Sequence, residues 1–181
     1  MPAATNLEIE LKFPVEEPRL LRSRIRSLGF RVAEARRIES NWIFDDAHDS
    51  LRRGGRLLRL RRSGQEWTLT VKGKRQAGTL KQRPEFETNV GDGNSCRALL
   101  VELGYRERIS YRRWRTTFER PRQPGELAWD ETPFGIYLEI EGTAAWVRRT
   151  AAALGLAISA AEQRSYPELY AAHQGQFSER G

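Results

Sequence analysis

Cysteine and histidine are almost missing from this chain of 181 residues: Cys96, His48 and His173 are the whole supply. A single cysteine excludes an intrachain disulfide, and a reducing, cytoplasmic setting is expected. Cys96 itself reads as a small buried residue on a helix. One Cys and two well-separated His leave little for a structural zinc site or a Cys/His nucleophile pair. No apolar run approaches the length of a membrane span, and Met1 to Asn6 is too short and polar for a signal peptide, so no membrane partner is expected. Pro- or Ser-rich linkers are missing too, which leaves one domain over residues 1–181. Gly54-Gly55 lacks the downstream Gly-Lys-Ser/Thr of a phosphate loop and reads as a turn.

Charge is abundant. There are 31 Lys+Arg against 24 Asp+Glu, a net charge of +7, and 30% of residues are charged. The basic residues are mostly arginine, whose planar fork matches phosphate oxygens, so an anionic partner is expected. A nucleic-acid surface is one reading, carried by Trp114 and the basic run Arg106 to Arg115. Paired glutamates elsewhere argue against it, because they would repel a polyanion unless a metal intervened.

Those glutamates follow a strand period. In Leu7 to Phe13, Glu8, Glu10 and Lys12 alternate with Leu7, Ile9, Leu11 and Phe13, so a strand would be charged on one face and apolar on the other. The pattern recurs. Arg59 and Arg61 alternate with Leu58 and Leu60; Thr68, Thr70 and Lys72 with Trp67, Leu69 and Val71. Glu85 and Glu87 flank Phe86, Arg113 and Arg115 flank Trp114, and Glu139 and Glu141 flank Ile140. Acids and guanidiniums are segregated by strand, whereas a solubilising surface would mix them. A closed barrel would bring the charged faces together around a lumen, with an acidic side for a cation and a basic side for phosphate.

Helices are expected outside these strands. Pro18 suits a first helical turn ahead of Leu20, Leu21, Ile25 and Leu28, with Gly29 ending it. Asp92 to Leu103 and Ala144 to Leu154 read as helices ended by Gly104 and Gly155. A shorter helix, interrupted or started by Pro167, covers part of Ala160 to His173. Strands are expected over Val32 to Phe44, Arg56 to Arg62, Glu66 to Lys72, Pro84 to Val90, Arg106 to Phe118, Glu126 to Asp130 and Gly135 to Glu141. Gly54-Gly55 and Ser63-Gly64 supply hairpin turns, and Gly73 to Arg83 reads as a mobile basic loop. Trp42, Trp67 and Trp146 read as core, and Arg148-Arg149 as a solvated helix face.

Glu8-Ile9-Glu10-Leu11-Lys12 resembles the ExExK signature of the CYTH superfamily, the triphosphate tunnel metalloenzymes. The likeness continues through Asn41 to Asp46, Gly55 to Arg61, Leu69 to Lys72, Arg83 to Glu87, Tyr111 to Arg115, Asp130 to Gly135 and Leu138 to Gly142, covering about residues 7–170. It implies an α+β fold: a closed eight-stranded antiparallel β-barrel, a triphosphate tunnel with helices packed outside.

By the same resemblance Glu8, Glu10, Glu139 and Glu141 are similar to the family's metal-site acids for Mg2+ or Mn2+, with Asp130 placed beside them. Lys12, Arg59, Arg61, Lys72, Arg113 and Arg115 are similar to its phosphate-binding bases, which carry substrate binding and catalysis; Glu85 and Glu87 match acidic tunnel positions. The implied activity is divalent-metal-dependent hydrolysis of an inorganic or organic triphosphate, a small-molecule partner. A class IV adenylate cyclase, converting ATP to cyclic AMP and pyrophosphate, is the alternative, because Asp130 to Gly142 is similar to cyclase-like bacterial proteins. A non-catalytic polyphosphate-binding module is another. The C-terminal lysine with which some members of the family close the tunnel has no counterpart, since no lysine follows Lys81. Oligomeric state stays open, a homodimer included.

Overall fold

The computed structural model describes residues 6–178. In chain order the elements are β1 (Asn6–Pro14), α1 (Pro18–Ser27), β2 (Arg31–Asp45), α2 (Ser50–Arg53), β3 (Leu57–Ser63), β4 (Glu66–Lys72) and β5 (Lys81–Val90). Then follow α3 (Gly93–Glu102), β6 (Arg106–Glu119), β7 (Glu126–Thr132), β8 (Gly135–Glu141), α4 (Ala144–Ala153), a short 3-10 turn and α5 (Tyr166–Ser178). The eight strands close in the order β1-β5-β4-β3-β2-β6-β7-β8, every pairing antiparallel. Two meanders, β2 to β5 and β6 to β8, are joined by the β2–β6 pairing on one side. On the other, β1 slots between β5 and β8 and closes the barrel.

The two-residue period decides what each wall faces. Glu8, Glu10 and Lys12 of β1 point into the barrel, while Leu11 and Phe13 point out into a core built with α1 and α4. Leu21 and Ile25 of α1, and Trp146, Val147, Ala151 and Leu154 around α4, cover the outer faces of Leu127, Trp129, Leu138 and Ile140. Opposite, α2 and α3 cover Phe44, Leu58 and Leu60 with Leu51 and Leu100. α5 docks where Ile43, Tyr111 and Tyr137 meet Tyr166 and Leu169. Over residues 10–13 β1 is therefore buried on both faces rather than half-exposed, as its pattern taken alone would suggest.

Local signals account for the helix ends. Pro18 occupies the first turn of α1, and the Asp92 carboxylate caps α3 by accepting from the backbone N–H of Asn94 and Ser95. Trp42 and Trp67 stack on the outer wall with ring centroids 5.3 Å apart, and Trp146 is buried, all three packing as core.

Four expectations need correction. The last helix, α5, has 13 residues and is longer, not shorter, than α1, α3 and α4 with 10 each. β5 begins at Lys81, not Pro84, so the basic loop is shorter and Lys81 and Arg83 belong to the wall. The Gly54-Gly55 turn is the exit from the helical turn α2, with Gly55 in the left-handed region at φ 69°. Cys96 lies on α3 but is half-buried.

Gly93, at the start of α3, admits Trp67 so closely that a Cβ there would stand 2.0 Å from the indole. Gly93→Ala is therefore expected to cost about 1–3 kcal/mol by overpacking. A thermal melt should show the midpoint falling by roughly 2–4 °C per kcal/mol in a domain of this size, and an unchanged midpoint would refute the tight seat.

Candidate active site

The inward faces enclose a cavity of about 550 Å³ lined by side chains of β1 and β3 to β8 and by Ser165, Tyr166 and Pro167 at the start of α5. Every sequence-predicted site residue except Asp130 lines it: Glu8, Glu10, Lys12, Arg59, Arg61, Lys72, Glu85, Glu87, Arg113, Arg115, Glu139 and Glu141. Asp130 points inward from β7 but is fully buried behind the arginines.

The basic wall is held by acids. Arg113 Nε donates to Glu39 Oε2 at 2.8 Å and its Nη1 to Asp130 Oδ2 at 2.9 Å. Arg115 Nε donates to Asp130 Oδ1 at 2.7 Å, and its Nη2 to both Asp130 and Glu139. Arg61 is looser, 3.7 Å from Glu39 and 3.5 Å from Glu87. Arg59 donates to Thr70 Oγ1 at 3.2 Å and stands 3.6 Å from Glu87.

Burial would raise the Glu39 carboxyl, but Arg113, Arg115 and Arg61 outweigh it and hold it well below the usual range. Glu139 behaves likewise under Arg115 and Arg113. Burial, reinforced by Arg59, lowers Arg61 to about 10. Arg61 is thus a loosely paired cation, and the oxygens of an anion in the lumen would be closer partners than Glu39 and Glu87.

A different balance holds where β7, β8 and β1 meet. Glu10 is directly opposite Glu141 in the β1–β8 register, and Glu141 is opposite Glu126 in the β7–β8 register. Like charges on adjacent strands repel. Among the described residues Glu10 has one ion-pair partner, Lys81 at 3.9 Å, with Lys72 acting on it from farther off, and neither Glu141 nor Glu126 forms an ion pair. Burial, followed by repulsion from Glu8 and Glu10, pushes Glu141 up to about 8. Glu10 is raised by burial and then by Glu139 and Glu8, and Glu126 chiefly by burial. Glu8 is better compensated, by Lys72 and by Arg83 Nε at 2.9 Å.

The under-compensated acids fit a hard divalent cation in donor type and charge. Among the described residues no three His, Cys, Asp or Glu side chains form a ready cage. Mg2+ keeps several waters and needs only one or two carboxylates, so such a cage is not required.

Lys12 and Lys81 share one backbone acceptor, the carbonyl of Arg164, at 2.6 and 3.3 Å. Burial and then repulsion from Lys81 bring Lys12 down to about 8. Lys81, Arg83, Glu39, Glu126 and Tyr166 are site residues that the sequence reading did not assign. Glu39 and Asn41 do carry a faint i, i+2 polar signal on β2. The run Arg106 to Arg115, read as one basic patch, is split by the strand period: Arg106, Arg108 and Arg112 face solvent, Arg113 and Arg115 the lumen.

The CYTH domain family model matches residues 6–153. The chain belongs to the CYTH family. It is 22% identical over 135 residues, 75% of this chain and 76% of the other, to a Methanocaldococcus jannaschii protein named as a candidate adenylate cyclase. The structure of a candidate adenylate cyclase from Vibrio parahaemolyticus superposes with a TM-score of 0.80 at 22% identity, covering 92% of this chain and 99% of that one. A Hippeastrum protein named as a candidate adenylyl cyclase, and described as having a dominant triphosphatase activity, gives 0.67 at 16% identity, covering 92% and 96%. At these identities the structural likeness establishes the fold alone. CYTH proteins as a family bind triphosphates and depend on metal.

Glu141 makes the acidic corner testable without substrate. Its folded-state value, about 8, lies above the ordinary 4.5, so the folded chain holds a proton that the unfolded chain has lost between those values. Stability from this group is fully present below pH 4.5 and is lost as pH rises towards about 8. Lys12 acts oppositely above pH 8, so the informative window is pH 5 to 8. In chelator, Glu141→Gln is expected to melt higher than the wild type by roughly 2–4 °C, about 1 kcal/mol, with the gap widening as pH rises. A gap that is constant or narrows with pH would contradict the like-charge reading.

Proposed function

We propose that this chain is a divalent-metal-dependent triphosphatase that hydrolyses inorganic or organic triphosphates within the barrel. The observation that carries the reading is the division of one cavity into an acid corner short of cations and an arginine wall whose inner members are already anchored. A triphosphate is highly anionic, and drawing it into a confined space requires fixed cations to offset desolvation and repulsion between its phosphates. Arg59, Arg61, Arg113 and Arg115 supply them, with Lys72 and Arg83 on the adjoining wall and Lys12 beside the C-terminal segment.

Glu10 and Glu141, with Glu8 and Glu126 beside them, are the residues that would hold Mg2+ or Mn2+. When bound, such an ion would neutralise phosphoryl oxygens and make its coordinated water more acidic. The chain's own contribution is orientation and charge. Asp130, Glu39 and Glu139 hold Arg113 and Arg115 in place before substrate arrives, so little reorganisation is needed as charge moves onto the leaving diphosphate. In hydrolysis, the water oxygen bonds to the terminal phosphorus. The bridging P–O bond breaks with its electron pair on the leaving diphosphate, which is pyrophosphate from tripolyphosphate and the organic diphosphate from an organic substrate. The water's proton passes to solvent, and orthophosphate is released without a covalent enzyme intermediate. We assign Asp130 to the support of the arginines, not to the metal, because its oxygens are fully engaged behind the wall.

Adenylate cyclase activity is the second reading, favoured by the names of the relatives. The same charges would serve cyclisation if ATP entered with its ribose 3'-hydroxyl in line with the α-phosphorus. The deciding experiment incubates the protein with tripolyphosphate, ATP and thiamine triphosphate, with Mg2+ or Mn2+, and assays orthophosphate, pyrophosphate and cyclic AMP separately. Orthophosphate from tripolyphosphate, with at most slow hydrolysis of ATP, is expected. Stoichiometric cyclic AMP and pyrophosphate from ATP, faster than tripolyphosphate hydrolysis, would promote the cyclase instead.

Two variants tie the activity to the two walls. Glu10→Gln should lose metal-dependent turnover while staying folded, and turnover that persists in EDTA would remove the metal from the mechanism. Arg61→Ala should lower kcat/KM by roughly 10²- to 10³-fold, against almost no effect of Arg148→Ala on the exposed face of α4. Arg61 is the cleaner probe than Arg113, whose removal would strand the buried charges of Glu39 and Asp130. Equal losses in Arg61→Ala and Arg148→Ala would count against the lumen as the site.

A further inference from the structure

We propose that Tyr166, at the start of α5, is a positioning residue for the arginine wall: its hydroxyl fixes Asp130, and Asp130 fixes Arg113 and Arg115. Only the kinetic arm of this inference rests on the triphosphatase reading. Tyr166 lies beyond residues 6–153, the span that the CYTH domain matches, so part of the site's geometry comes from the segment that follows.

The Tyr166 hydroxyl donates to Asp130 Oδ2 at 2.6 Å. That oxygen also accepts from Arg113 and Arg115, while Oδ1 takes the Nε of Arg115. Asp130 is wholly buried and Tyr166 nearly so, so water cannot substitute for a lost donor cheaply. The hydroxyl is the one uncharged donor in the set and comes from a helix outside the barrel. The guanidiniums come from the adjoining strand β6, and the two directions together fix the plane of the carboxylate.

The phenol ring has a second role. The Lys12 ammonium stands 4.1 Å, and the Arg113 guanidinium 4.8 Å, from its centroid, both within cation–π range. Two residues earlier, the Arg164 carbonyl accepts from Lys12 and Lys81. Tyr137 meets the ring edge-on at 5.8 Å and Phe134 lies 6.3 Å away, so the ring is held independently of its hydroxyl.

Tyr166→Phe isolates the hydroxyl, because it keeps the ring, its packing and its cation contacts. Tyr170→Phe, in the same helix and aromatic cluster, is the control. Arginine Nε–H resonances are recorded by NMR for both variants without substrate, alongside thermal melts and tripolyphosphate kinetics. In Tyr166→Phe the Arg113 and Arg115 resonances should shift while Arg61 stays in place, and kcat should fall roughly tenfold with KM little changed. The melting point should fall further than in Tyr170→Phe, because a buried donor to Asp130 is lost. Unmoved Arg113 and Arg115 resonances would overturn the proposal, and so would an equal kcat loss in Tyr170→Phe. If the wild type hydrolyses no triphosphate, the resonances alone decide, and the positioning role stands or falls apart from the function.

Discussion

Everything else in this barrel is arranged around the desolvation of its charged interior. Ionised side chains removed from water need partners, or their protonation shifts. The barrel uses both outcomes in different places. Around Asp130, acids and guanidiniums are matched closely, and Glu39 and Glu139 stay ionised despite their burial. Around Glu141, they are not matched, and the carboxyls rise. A uniformly neutralised interior would be an inert salt network. The local mismatch marks where an added cation, and an anion beside it, would be stabilised.

A polar interior leaves the outward strand faces to make the hydrophobic core. In a barrel with an apolar interior, helices outside are optional; here Leu11, Phe13, Leu127, Leu138 and Ile140 would meet water without α1 and α4. The outer helices therefore stabilise the walls that hold the charges. Where no helix lies, as over Val71, Phe86 and Trp114, apolar side chains of the wall are part-exposed. α5 differs from the other helices by reaching past the wall to the lumen through Tyr166.

The strand period made most of this legible. Glu8 with Glu10, Arg59 with Arg61, and Glu139 with Glu141 announce an inward face by spacing alone, and backbone geometry keeps that promise whatever the tertiary context. Two kinds of residue escaped. Lys81 and Arg83 precede Pro84, and reading the proline as a strand start misplaced them in a loop, although the strand accommodates it. Asp130 has the right direction but a different depth: alternation tells which face a side chain takes, not whether a longer neighbour covers it. Arg113 and Arg115 do cover it.

Tyr166 shows a harder limit. Ser165-Tyr166 resembles a C-terminal position of the family, but the residues give it no role: they do not distinguish a tyrosine that caps a helix surface from one that bonds to a buried aspartate 36 positions earlier. That distinction arises only when α5 docks on the barrel end, a non-local event governed by the packing of Tyr111, Tyr137 and Phe134. The lumen-facing groups are thus written into strands, where a two-residue period exposes them. The groups that hold them steady come from elsewhere in the chain and are set by packing. A wall of arginines is easy to encode; keeping it in one arrangement requires contacts that no short motif can carry.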